Sequence, residues 1–131
     1  MDMRRVFFLL LIFLSAGCTA DPVYNGKPLY YWKQELRSRD STARWRAAST
    51  FATVGAKARI AIPELTACLD ADDYHVLLSS AAALGNTGPE ASEAVPELIK
   101  LLKHPERRVR AAVEQALKKI DPEAAARAGV K

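Results

Sequence analysis

Residues 61–65 read AIPEL and residues 94–98 read AVPEL, the same phrase 33 residues apart with one methylene changed. Written in ungapped rows of that length, the chain aligns over three rows: 26–58, 59–91 and 92–124. The columns that agree are apolar apart from one threonine: Leu29/Ile62/Val95, Trp32/Leu65/Leu98 and Leu36/Leu69/Leu102 early in each row, then Ala43/Val76/Val109, Phe51/Leu84/Leu117 and Val54/Thr87/Ile120. A fixed period without insertions is the signature of a stacked repeat, in which each unit buries its apolar face only against its neighbours.

Spacing within a row defines the unit. Ile62, Leu65 and Leu69 recur at three and four residues, as do Val109, Val113, Leu117 and Ile120, so each row carries two amphipathic helices. The predicted first helices cover 28–37, 61–70 and 94–103, and the second helices 41–54, 74–87 and 107–120. Pro63 and Pro96 suit a first helical turn, where a missing N–H costs nothing, and Glu64 and Glu97 beside them favour the positive end of the helix dipole. Gly55 and Gly88 stand where a helix ends in a left-handed residue, and Asp121-Pro122 stops the last helix.

The run VPELIKLLKHPERRVRAAVEQALKKIDPEA at 95–124 combines a proline opening the first helix, a proline turn, Val-Arg-x-Ala and a late leucine. It resembles the HEAT-like repeats named after phycobiliprotein lyases. The resemblance covers 26–124, strongest in the third row and weakest in the first, where Tyr30, Tyr31 and Trp32 replace Pro-Glu-Leu. It implies an all-α fold, a short right-handed α-solenoid of three helical hairpins, and it carries over no chromophore chemistry. Terminal repeats lack one neighbour, so the aromatic residues of the first row read as a cap on the core. The tail AARAGVK, 125–131, begins a further row and reads as a cap or a frayed end.

Before the repeats stands MDMRRVFFLLLIFLSAGC, with Arg4 and Arg5 ahead of an apolar run from Val6 to Leu14 and then small residues. That is the layout of a secretory signal. The run is shorter than the roughly 20 residues that span a bilayer. Ser15-Ala16-Gly17-Cys18 resembles the lipobox of bacterial lipoproteins, which implies removal of 1–17, lipidation of Cys18 and a tether over 18–25 leading into a domain over 26–131. Multiple acyl chains on one cysteine anchor a domain stably. Thr19, rather than Asp, follows the cysteine, which implies the periplasmic face of the outer membrane. With Cys18 carrying lipid, Cys68 in LTACL has no disulfide partner and reads as a small core residue.

Half of the 131 residues are hydrophobic, enough for one folded domain, and the formal net charge is +4. The charge is segregated: eight basic and three acidic residues over 18–59, seven acidic and no basic over 60–99, nine basic and four acidic over 100–131. Either neighbouring rows attract one another, or the surface steers a charged partner. An export signal and an acidic middle row argue against nucleic acid.

Second helices usually line the inner surface of such stacks, and there the columns off the core stripe are Thr42/His75/Arg108, Trp45/Leu78/Ala111, Ser49/Ala82/Gln115 and Thr53/Asn86/Lys119. Trp45 and Leu78 are apolar where water is expected, and Trp is enriched at interface hot spots. The candidate partner surface is therefore Arg44, Trp45, Arg46, His75, Leu78, Asn86, Arg108 and Lys119; alternatively, Leu78 is buried between the two neighbouring rows. Asp72, Asp73 and His75 match no zinc spacing, and an aspartate before a helix reads as a cap. Neither a phosphate loop nor a nucleophile elbow is present. The expectation is a non-enzymatic protein without cofactor or metal, binding an envelope protein of unknown identity. The alternative is an accessory or small-molecule-binding module of a larger enzyme assembly. The oligomeric state stays open.

Overall fold

The computed structural model describes residues 20–131; the signal layout and Cys18 lie outside the described residues. A hairpin of two short strands, β1 (Val23–Tyr24) and β2 (Lys27–Pro28), leads into three helical pairs: α1 (Leu29–Glu35) with α2 (Ser41–Val54), α3 (Ile62–Ala67) with α4 (Tyr74–Thr87), and α5 (Val95–Leu101) with α6 (Arg107–Ile120). A last short helix, α7 (Pro122–Arg127), follows, with Ala124 and Ala125 buried. The fold is the expected all-α stack of hairpins.

The second helices have the predicted bounds because their ends are chemically marked. Asp40 and Asp73 accept from the amides of Thr42 and His75 at 3.0 and 2.9 Å, and Glu106 accepts from Arg108 at 3.4 Å, all at one column of the repeat. At the other end Gly55 and Gly88 have φ of 61° and 79° with ψ of −130° and −149°, a region open essentially only to glycine. After each glycine the chain runs through a tight 3-10 segment, Gly55–Ala61 and Gly88–Ala94, into the next first helix. The third row has Asp121 at this column, and its carboxylate caps α7 through Ala124 N at 2.9 Å.

First helices are shorter than predicted. Their last turns are wound tighter, with Arg37 and Ser38 bonding back three residues to Gln34 and Glu35, and Leu102, Lys103 and His104 to Ile99, Lys100 and Leu101. In the middle row that turn is a 3-10 segment, Cys68–Asp70. A final i→i+3 turn is a common way to satisfy the orphan carbonyls of a helix end.

The larger departure is at the start. Residues 22–25, expected in the tether, belong to the domain: Trp32 Nε1 donates to Tyr24 O at 2.8 Å, Leu29 N donates to Pro22 O at 3.3 Å, and Asn25 Nδ2 donates to Thr50 Oγ1 at 3.1 Å. Asn25 and Gly26 have φ of 50° and 75°, as a two-residue hairpin turn with both central residues left-handed requires.

Most of the aligned columns form the core, although Val54, Val95 and Leu102 are only half-buried against it and Ala43, expected with Val76 and Val109, is half-exposed. Phe51, Leu84 and Leu117 are fully buried, as are Leu65 and Leu98, with Trp32 almost so. Each such side chain contributes about 1.5–3 kcal/mol by leaving water. The second helices α2, α4 and α6 pack directly against one another, far more closely than the first helices do. At Gly85 the approach is so tight that an added Cβ would meet Ala116 Cα at 3.0 Å. Closer packing on the second-helix side is what a stack curved around those helices requires.

Candidate interaction surface

Most off-core positions of the second helices lie at the surface, and three aromatic rings cluster there, tilted against one another. Trp45 on α2 stands 5.8 Å from the His75 ring on α4, and His75 stands 4.0 Å from Tyr74. Trp45 is 42% exposed and Tyr74 37%, so both keep a large free edge. Tyr74 was missed by periodicity because it is the first residue of its helix, where a side chain points by cap geometry rather than by helical face.

Next to Trp45 runs an open groove of about 380 Å³ between α2 and the hairpin, lined by Asn25, Trp32, Arg46, Ser49, Thr50 and Thr53. Its floor is already satisfied, since Thr50 Oγ1 donates to Arg46 O at 2.9 Å while accepting from Asn25. The hairpin supplies one wall, so this groove belongs only to the first row.

The predicted residues divide. Trp45, Arg46, His75 and Arg108 are exposed on this face. Asn86 and Lys119 are exposed but committed to a polar ladder: Asn86 Nδ2 donates to Ala52 O at 2.8 Å, and Lys119 Nζ donates to Asn86 Oδ1 at 3.1 Å, tying α2, α4 and α6 together. Leu78 is half-buried against the core, because the middle row has a neighbour on each side. Arg44 is not part of the patch. Its Nη1 donates to Ser38 O at 2.7 Å, locking the turn between α1 and α2, just as Arg110 donates to His104 O at 2.7 Å one pair of rows later. Residues 44 and 46 sit on opposite flanks of 45 around a helix, and only Arg46 shares the groove.

Arg44 instead lines a cleft of about 440 Å³ between the first and second rows, with Leu36, Arg37, Pro63, Glu64 and Cys68. Glu64, expected to serve its helix dipole, is 93% buried and clasped across the junction: Oε1 accepts from Arg37 at 2.7 Å and lies 3.7 Å from Lys33 Nζ, while the buried Oε2 has no hydrogen bond among the described residues. Sequence reasoning missed this clasp because Lys33 and Arg37 stand in the first row and Glu64 in the second, and the three fall on no repeat column in common. Cys68 Sγ donates to Leu36 O at 3.5 Å. Burial pushes its thiol pKa up; Arg44 and the Ser80 hydroxyl partly offset this, and Glu64 adds to it. It is a core residue, as expected.

Among the described residues no three His, Cys, Asp or Glu side chains converge as a metal site, and the Asp73 carboxylate is engaged in capping His75 N. What the surface offers is flat aromatic area bordered by Arg46 and Arg108, suited to apolar and acidic groups of a partner.

A family model of HEAT repeats matches residues 31–118. The chain belongs to the HEAT-repeat family. HEAT repeats generally mediate protein–protein interaction, and the fold is typically a non-catalytic scaffold. The matched span opens inside α1 and closes within α6, so it holds all three helical pairs of this HEAT-repeat protein and leaves out the hairpin and α7. No curated protein matches the chain.

Proposed function

We propose that this HEAT-repeat protein, of the phycobiliprotein-lyase type, is a lipid-anchored interaction scaffold of the bacterial cell envelope. It binds a partner protein across the second-helix face of its first two rows. The observation that carries this reading is the exposed Trp45–His75–Tyr74 cluster beside an open groove, on the side where the repeats pack closest. Aromatic side chains that are rigid and half-wet are the usual anchors of such interfaces. The signal layout ending in Ser15-Ala16-Gly17-Cys18 supports export, lipidation of Cys18 and, through Thr19, the periplasmic face of the outer membrane. The partner is a protein rather than a nucleic acid, because the middle row, with seven acidic and no basic residues, would repel phosphates.

Crosslinking in native membranes tests the reading, with wild type beside Trp45→Ala combined with Arg46→Glu, both confirmed helical. One envelope protein captured by the wild type and lost with the variant supports the scaffold. Equal capture by both removes the aromatic face from the interface. A second reading rests on the groove volume, which reaches the lower range of small-molecule sites. Native mass spectrometry of the purified protein distinguishes it, since a bound small molecule adds a discrete mass that the variant loses.

A further inference from the structure

The hairpin changes how the protein meets a membrane. Among the described residues Pro22 is the first bonded into the fold, so at most residues 19–21 separate Cys18 from bonded structure. Four residue steps reach at most roughly 14 Å, and a lipidated cysteine sits at the headgroup level. On the reading that Cys18 carries lipid, the domain therefore cannot stand off the bilayer, and the end that carries the hairpin is held against it.

That end has the chemistry of an interfacial surface. Val23 is 65% exposed and Tyr30 61%, with Tyr31 and Ile60 also exposed. Cations stand among them: Lys27 Nζ lies 5.3 Å from the Tyr31 ring centroid, and Lys57 Nζ lies 5.8 Å from the Tyr24 ring centroid and 3.2 Å from its hydroxyl. Where the chain leaves the fold toward Cys18, Pro22, Leu29 and Ile60 form an apolar cleft of about 310 Å³ with Lys57, Arg59 and Asp21 around it. Tyrosines with one apolar and one polar end favour the membrane–water interface, and each Lys or Arg close to an anionic leaflet strengthens partitioning roughly fivefold.

We infer that the hairpin end, presenting Val23, Tyr30, Tyr31 and Ile60 with Lys27, Lys57 and Arg59, is a docking surface for an anionic lipid bilayer. The inference rests on the anchor proposed above.

The test uses the full-length protein purified from membranes and incorporated into vesicles of phosphatidylethanolamine and phosphatidylglycerol, with amide hydrogen exchange compared against neutral detergent micelles. Mass analysis of the Cys18 peptide in the same digest reads lipidation separately. The expected result is severalfold slower exchange confined to residues 23–31 and 56–60. High salt, or a Lys27→Gln, Lys57→Gln, Arg59→Gln variant with unchanged circular dichroism, should abolish that protection. Unchanged exchange on the anionic vesicles overturns the inference, as does equal slowing on phosphatidylcholine vesicles. Slowing that needs no vesicles and grows with protein concentration also overturns it, by identifying a second copy as the occupant. If Cys18 proves unmodified, the anchor reading fails; the same chain coupled through its Cys18 thiol to maleimide-bearing vesicles then decides the surface by the same exchange pattern.

Discussion

The two junctions between successive rows perform one geometric task with different chemistry. The first is stitched by polar groups: the Lys33–Arg37–Glu64 clasp, the Cys68 thiol on Leu36 O, and Ser49 Oγ 3.0 Å from Ser79 Oγ. The second is smooth, with Gly85 against Ala116, and the Lys119–Asn86 bond at its edge. On the exposed face of the second helices the contrast repeats, because the Trp45–His75 contact across the first junction has Leu78 and Arg108 at the equivalent columns of the second. The repeat therefore fixes spacing and orientation through its apolar columns and leaves each junction free in everything else. Only the first junction combines stitching with exposed aromatic area.

Altering the smooth junction should have the largest effect. Gly85→Val pushes a branched side chain into the Ala116 backbone and should cost about 3 kcal/mol, the upper range for overpacking. Gly85→Ala sets a 3.0 Å collision against a gain of about 1 kcal/mol in helix propensity and should come out near neutral. Denaturant melts decide. A neutral Gly85→Val would mean that α4 and α6 have room to separate, and the junction would not be close-packed.

At the stitched junction, Lys33→Ala with Arg37→Ala leaves Glu64 buried without its cations and should cost about 2 kcal/mol. That is below the 3–5 kcal/mol typical of a fully buried broken pair, because the Arg37 side chain is 63% exposed and its charge is screened. Glu64→Leu removes the charge with its penalty and should change stability by less than about 1 kcal/mol. If the two variants lose the same amount, the clasp is a net attraction rather than a compensated burial.

The same junction predicts an alkaline signature. The folded Cys68 thiol has a raised pKa, chiefly from burial, so the native state holds its proton longer than the unfolded chain does. The stability this provides is complete below the unfolded thiol pKa, about 8.5, and is lost as pH rises through the folded value. Cys68→Ala should therefore flatten the decline of stability above pH ~8.5 relative to wild type. Parallel declines would assign the alkaline limb to other groups.

The sequence reading and the structure agree where one row repeats another. Columns such as Phe51/Leu84/Leu117 recur at the same place, so three rows vote on each assignment and the second helices come out with matching bounds, although of the three caps only the aspartate before α4 was read as one. What escaped is what occurs once. Asn25-Gly26 carries a hairpin signal in two residues, but strands of two residues show no alternation to read. Glu64 and Glu97 occupy one column, yet the first is buried under Arg37 and the second is exposed beside Lys100, because only the first has a row with cations before it. Leu78 and Arg44 looked available from helical phase alone. Phase gives the direction of a side chain, but it does not say what the neighbouring row or the preceding turn has placed there.

The smallest stability effect is expected at the residue on which the interaction surface depends. Trp45 is apolar and large, but it is 42% exposed and its aromatic contact is His75, which is itself exposed. Trp45→Leu gives the first junction the residue type found at the equivalent column of the second and should shift stability by less than about 1 kcal/mol, with helicity unchanged. A core tryptophan would instead lose about 3–5 kcal/mol on truncation to alanine. The measurement pairs a thermal melt with partner capture for Trp45→Leu and Trp45→Ala. Melts near wild type with capture lost in both would mean that the first junction carries its tryptophan for a partner. Retained capture in the leucine variant would mean that apolar area alone suffices, and the second junction, with Leu78 half-buried, would then have only its burial to set it apart.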